Sequence, residues 1–200
     1  MTVAIISFGL GNVRSLEIAL HSAGLDSVVL SEPGRLGDYS RAVLPGVGAF
    51  DAAMERLRRG GWLSPLESFA AEARNTLVGI CLGAQLLGTK SEEGKLDGLN
   101  LIPFDSVGLG KNCSGKSPHI GWSEVEWAPG FWNDALVDLR GPFYFNHGLM
   151  PNPKNGYSVA SFAGSSDCVA AVGDGGVVGL QFHPERSYGP GARVLGRLLS

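Results

Sequence analysis

Charge is scarce in this chain: 16 Lys and Arg and 19 Asp and Glu make up 18% of 200 residues, against about 25% in ordinary globular domains. The net charge of −3, with the signs mixed, leaves no basic face for nucleic acid. Cysteine is scarcer still. Cys81, Cys113 and Cys168 form no Cys-x-x-Cys pair, which argues against a disulfide scaffold or a structural zinc site and for a reducing, cytoplasmic compartment. No run approaches the ~20 apolar residues of a membrane span. The opening Met-Thr-Val-Ala-Ile-Ile-Ser-Phe-Gly lacks a cationic leader, so no secretory signal is expected. A collagen-like Gly-X-Y period is also missing.

Glycine is what the chain has in excess, at 30 residues, roughly twice the usual ~7%. Apolar residues make up 44%, ample for a core, and the length suits a single domain over residues 1–200. Residues 3–6, 28–30, 42–44 and 77–80 read as short buried strands. Between them Val13, Leu16, Ala19, Leu20 and Ala23 recur at helical spacing up to Gly24, and 49–59 and 62–73 also read as helical. Strands alternating with helices predict βαβ units around a mostly parallel central sheet flanked by helices, an α/β fold. After about residue 95 the pattern becomes strand-rich, which predicts an antiparallel C-terminal half. Its strands fall at 107–109, 123–127, 142–146, 157–163 and 168–172, with a hairpin at 173–176 into 177–182 and a last helix over 190–199.

The strongest chemical signal is Leu77-Val-Gly79-Ile-Cys81-Leu-Gly83-Ala-Gln85-Leu-Leu. An apolar strand runs straight into Gly-x-Cys-x-Gly and then into a helical stretch, the cysteine form of a nucleophile elbow. Glycines two residues to either side leave room for the tight turn, and the N–H of Leu82 stands ready to donate to a developing oxyanion. A buried structural cysteine is the plain alternative. A cysteine nucleophile needs a base and a group that orients it. His183 follows an apolar run and precedes Pro184 and Glu185, so the imidazole and the carboxylate share one turn at a strand end. His21 reads as solvated, and His119 and His147 lie at strand or loop edges. Pro45-Gly46-Val47-Gly48 is a second glycine turn whose N–H groups suit an anion. Gly9-Leu-Gly11 has Arg14 where a dinucleotide fingerprint needs glycine, so a Rossmann site is rejected. Glu92-Glu93 reads as a solvated pair, and Cys113 and Cys168 as non-catalytic.

Pro-Gly-Val-Gly at 45–48, Gly-Ile-Cys-Leu-Gly at 79–83 and Gln-Phe-His-Pro-Glu at 181–185, in that order, resemble the class I, triad-type glutamine amidotransferases. Within that class the sequence is most similar to the glutaminase subunit of imidazole glycerol phosphate synthase. The resemblance spans nearly the whole chain, including Gly9-Leu-Gly-Asn-Val-Arg-Ser, Ser91-Glu-Glu-Gly94, Pro118-His-Ile-Gly-Trp122 and His183-Pro-Glu-Arg-Ser187. It implies that Cys81 attacks the glutamine amide, His183 relays the proton and Glu185 orients the ring. It also implies that backbone near Val47 and Leu82 holds the oxyanion, and that Gln85, Gly46, Gly48 and residues 147–149, with His147 and Gly148 foremost, hold the substrate.

No metal or organic cofactor is implied. Ammonia is expected to pass into a partner (β/α)8-barrel cyclase/synthase that makes imidazole glycerol phosphate and aminoimidazole carboxamide ribotide in histidine biosynthesis. Asn12, Trp122 and Arg186 would lie on the docking face, although Trp122 also reads as core and Arg186 as a solvated cation. The chain differs from the family pattern at Ser7 and Phe8, usually Asp and Tyr, and at Asn146, Gly148 and Leu149, where the pattern has an aliphatic residue, Ser and Tyr. A paralogous subunit feeding ammonia to another synthase, such as a sugar-modifying amidotransferase, and a non-catalytic binding subunit are the alternatives.

Overall fold

In the computed structural model, which describes residues 1–110, 113, 117–153, 158–162 and 165–200, the first half of the chain repeats one pattern of aliphatic run, turn and amphipathic helix. The elements are β1 (Thr2–Ile6), α1 (Val13–Ser22), β2 (Asp26–Leu30), β3 (Arg41–Leu44), α2 (Phe50–Arg59), α3 (Leu63–Ala71), β4 (Thr76–Ile80) and α4 (Leu82–Leu86), with a 3-10 turn at Pro33–Asp38. Then follow β5 (Lys90–Ser91), β6 (Phe104–Gly108), β7 (His119–Trp127), β8 (Pro142–His147), β9 (Leu149–Pro153), β10 (Ser158–Phe162), β11 (Ser165–Asp174), β12 (Val177–Leu180) and α5 (Tyr188–Leu199).

Nine strands form one mixed sheet in the order β2-β1-β3-β4-β12-β11-β10-β7-β8. From β2 to β12 the pairings are parallel, and from β12 to β8 they are antiparallel. β5, β6 and β9 form a separate small sheet. Alternation along the parallel strands sorts the core onto two faces. Val3, Ile5, Val78 and Ile80 pack with Leu16 and Leu20 of α1 and Val194, Leu195 and Leu198 of α5. Ala4, Ile6, Leu44 and Leu77 pack with Phe50, Met54 and Leu57 of α2 and Leu66 and Phe69 of α3. The first core continues under the antiparallel half through Phe143, Phe145, Phe162 and Phe182. Helix ends follow local chemistry: the Asn12 side chain accepts from the Ser15 N–H at 3.2 Å, and Arg56, Arg58 and Arg59 crowd the last turn of α2, where cations are favoured.

The architecture is the α/β arrangement read from the sequence, with several differences of extent. β7 begins at His119 rather than 123, and Val107 and Gly108 of the expected 107–109 strand belong to β6 in the small sheet, with Leu109 just beyond its end. β9 was not foreseen, because Leu149-Met-Pro-Asn-Pro carries two prolines; it pairs on β6 at the edge of the small sheet, where proline is tolerated. The helix expected over 62–73 is Leu63–Ala71, and the last helix starts at Tyr188 rather than 190. Of the strand expected over 157–163, Tyr157 and Ala163 lie outside the described residues.

The cysteine reading needs correction. Cys113 and Cys168 are joined in a disulfide with their Cα atoms 5.3 Å apart, while Cys81 is free and buried. Spacing alone gave no hint of this, because the two residues are 55 apart in sequence and are brought together by the stacking of β6, β9 and β11.

A methyl group at Gly83 would overlap the Leu44 carbonyl oxygen, whereas one at Gly34 would meet nothing within 4 Å. Gly83→Ala is therefore expected to lower unfolding free energy by about 3 kcal/mol, and Gly34→Ala by less than about 0.5. Urea midpoints of the two variants check the contrast.

Candidate active site

β4 is buried along its whole length, and the chain turns at its end so sharply that Cys81 takes φ 53° and ψ −108° before α4 begins at Leu82. Positive φ is costly for a residue with a Cβ, typically 1–3 kcal/mol, and such strain gathers at functional sites. Two bonds hold the turn: the Cys81 N–H donates to the Leu180 carbonyl at 2.8 Å, and the Gln85 N–H donates to the Cys81 carbonyl at 3.2 Å. The flanking glycines are forced by contact. A Cβ at Gly79 would lie 2.6 Å from the Gly83 carbonyl oxygen, and one at Gly46 would lie 2.9 Å from the Gly83 nitrogen. The 45–48 turn is thus pressed directly against the start of α4. Gly46 is buried, whereas Val47 and Gly48 emerge at the surface, with Gly48 at φ +110°.

β12 pairs parallel to β4, with Leu180 opposite Ile80. The chain leaving β12 therefore passes beside the cysteine turn. Pro184 starts a 3-10 turn, Pro184–Arg186, which places Glu185 back against His183: Nδ1 to Oε1 is 2.8 Å, with side-chain exposures of 6% and 9%. Cys81 is the other group that acts on the His183 ring, and both line the same cleft. Burial alone would lower the His183 pKa, but the favourable interactions with Cys81 and with the Glu185 carboxylate outweigh it and raise it to about 10. The imidazole is hydrogen-bonded to the carboxylate, and the cysteine acts on the same ring.

These groups open into a cleft of about 570 Å³. Val47, Gly48, Cys81, Leu82, Gln85, residues 146–149, His183 and Arg186 line it; Gly46 and Glu185 lie behind the lining, and Asn12 and Trp122 outside it. Two expectations change in detail. The amide of Gln85 is not open to the cleft on all sides, since its Nε2 donates to Gln181 Oε1 at 3.2 Å. Gln181 Nε2 in turn donates toward Cys81 Sγ at 3.9 Å. Gln181 is fully buried and links Gln85 to Cys81, a role that its motif alone does not assign. Its signal was position: it lies two residues before His183, on the same side of an extended chain. Glu92 and Glu93, read as merely solvated, also line the cleft, and Glu92 Oε2 accepts from the Gly108 N–H at 2.7 Å.

Trp122 is not a core residue. It is 46% exposed, stacks on Tyr188 with ring centroids 5.7 Å apart and planes at 6°, and meets Tyr144 edge-on. The Arg186 guanidinium sits 4.7 Å above the Tyr144 ring, a cation–π contact. With Ile120 and Tyr188 at 62% and 81% exposure, this is an apolar and aromatic surface beside the cleft. His147 and His119 lie close by, and burial lowers the pKa of each, His147 to about 4. His21 lies exposed on α1.

The model of the glutamine amidotransferase class-I family matches residues 8–198. The chain is 32% identical over 197 residues to imidazole glycerol phosphate synthase subunit HisH 2 of Methanococcus maripaludis, with 96% of each chain covered. It is 38% identical over 202 residues to subunit HisH of Chlorobium luteolum, again with 96% of each covered. Among solved structures, a glutamine amidotransferase superposes with a TM-score of 0.78 at 19% identity, covering 98% of both chains. PurLQS from Thermotoga maritima gives 0.72 at 20% identity, covering 98% of this chain and 96% of that one. These two establish likeness of fold. Family match, relatives and fold agree: the chain belongs to the class-I glutamine amidotransferases.

Proposed function

We propose that this chain is the glutaminase subunit of an imidazole glycerol phosphate synthase, with Cys81, His183 and Glu185 as its catalytic triad. The observation that carries the reading is the strained Cys81 turn sharing one cleft with a histidine that is backed by a buried carboxylate. The names of the HisH relatives supply the pathway. Cys81 Sγ attacks the side-chain amide carbon of glutamine, and its proton resides on His183. The oxygen of the tetrahedral intermediate is held by the N–H of Leu82, one of the first helical N–H groups and so without an intrahelical acceptor, and by donors of the 46–48 turn. The protonated His183 delivers its proton to the leaving nitrogen, the C–N bond breaks, and ammonia departs. Water, deprotonated by His183, then cleaves the γ-glutamyl thioester to glutamate and restores the thiol. Glu185 keeps the ring oriented and compensates its charge throughout.

The cleft suits glutamine at its other end as well. Glu93 offers negative charge to an α-ammonium group, and the backbone of residues 147–149 offers polar groups to the carboxylate. The surface formed by Ile120, Trp122, Tyr144, Arg186 and Tyr188, together with Asn12, is the docking face for a (β/α)8-barrel partner. Ammonia released beside that face enters the partner without meeting bulk water, and the partner's lyase and transfer steps complete the synthase as a cytoplasmic heterodimer. Among the described residues no helix is long and apolar enough to cross a membrane.

Three outcomes test this reading. Cys81→Ala should lower glutamate release by the complex with its barrel partner at least about 1,000-fold; unchanged turnover would refute the nucleophile. Trp122→Ala should weaken association with the partner about 10- to 30-fold, as measured by titration calorimetry, in keeping with a buried aromatic anchor. The third outcome concerns pH. Because the folded-state pKa of His183 is raised to about 10 from an ordinary value of 6.5, its charge stabilises the fold fully below about pH 6.5, and that contribution is lost as pH rises toward 10. His183→Gln should therefore cost more stability at pH 6 than at pH 10, compared by urea unfolding.

A further inference from the structure

Gly148 is the one residue between β8 and β9, and those strands belong to different sheets. The 147–149 turn is therefore the seam where the chain passes from the large sheet to the small one, and all three residues line the cleft. The Gly148 carbonyl accepts from the Leu109 N–H at 3.1 Å. A trans peptide points its C=O and N–H in opposite directions. The N–H of the same peptide, that of Leu149, is thus turned away from Leu109 and from β6, at a residue that lines the cleft.

One side chain fixes this orientation. His147 Nδ1 lies 2.6 Å from the Leu149 carbonyl oxygen. A carbonyl can only accept, so Nδ1 carries the proton and Nε2 is the bare nitrogen of a neutral ring. Nε2 is buried and has no hydrogen-bond partner among the described residues. Phe145, His119 and Phe162 pack around the ring with centroids 5.4, 5.8 and 6.1 Å away. Burial, with smaller contributions from His119 and His183, pushes its pKa down to about 4 against the pull of the Leu149 carbonyl, so the ring stays neutral in neutral solution. His147 therefore acts through a single N–H, and that N–H is directed at the backbone of the cleft wall.

We propose that His147 is a positioning residue for glutamine: its Nδ1–H holds the Leu149 carbonyl and thereby sets the 147–149 turn so that the Leu149 N–H faces the anionic end of the bound amino acid. The proposal rests on the glutaminase reading. It assigns His147 no contact with the reacting atoms, which separates it from His183 in spite of their proximity.

The test uses the full chain and two reagents for Cys81, a diazoketone analogue of glutamine and iodoacetamide, followed by intact mass. The analogue needs the cleft wall, whereas the small reagent does not. His147→Leu should raise the concentration of analogue for half-maximal labelling rate about 10-fold or more, the effect of losing one aligned hydrogen bond. The limiting rate should stay within about 2-fold of wild type, and so should the rate with iodoacetamide. His147→Asn places an amide N–H where Nδ1–H stood and lacks the unused Nε2, so it should return the half-saturating concentration to within about 3-fold of wild type. The proposal is overturned if His147→Leu binds the analogue like wild type, if His147→Asn is as weak as His147→Leu, or if His147→Leu slows both reagents alike. Wild-type protein that reacts with iodoacetamide but never with the analogue would overturn the glutaminase reading, and the proposal with it.

Discussion

Three backbones meet without side chains between them at the end of β4, and that contact governs the rest of the site. Gly79 abuts the Gly83 carbonyl, Gly83 abuts the Leu44 carbonyl, and Gly46 abuts the Gly83 nitrogen. Only at this distance can the chain reverse from strand to helix while lifting Cys81 into a positive-φ conformation. The same approach draws the 45–48 turn over the start of α4, so Cys81, the proposed nucleophile, and the groups proposed to hold its oxyanion are set by one packing event rather than two. A side chain at any of the three glycines would separate them.

The mixed sheet divides the remaining work. Its parallel half ends at the cysteine, and β12, where the pairing changes from parallel to antiparallel, brings His183 and Glu185 to the same edge. Environment then assigns different chemistry to neighbouring histidines. His183 is buried but paired with Cys81 and Glu185, and its pKa is raised; His147 is buried among aromatic rings with one backbone acceptor, and its pKa is lowered. One ring is equipped to carry a proton and the other to stay neutral, which follows from the partners each was given and not from burial itself.

What was legible in the sequence was local. The elbow could be read because glycine at two residues either side of Cys81 is a short-range steric requirement, and the His183–Glu185 turn because proline ends a strand in place. The βαβ half could be read because each of its elements carries its own periodicity. What escaped depends on pairing at long range. β9 looks like a proline-bearing loop until β6 lies beside it, and Cys113 looks unpaired until that small sheet stacks on β11. Gln181 shows its role only once Gln85, 96 residues away, is seen to donate to it. The aromatic surface likewise draws Trp122, Tyr144 and Tyr188 from three elements, and no window of sequence contains them all.

The central claim is that Cys81 becomes acylated by the side chain of glutamine. Acid quenching of the partner-bound subunit during turnover, followed by peptide mass mapping, tests it most directly. The account predicts a γ-glutamyl thioester on Cys81 that disappears in the Cys81→Ala variant and accumulates when deacylation is slowed. Steady glutamate release with no adduct on Cys81, or an adduct on another residue, would contradict it.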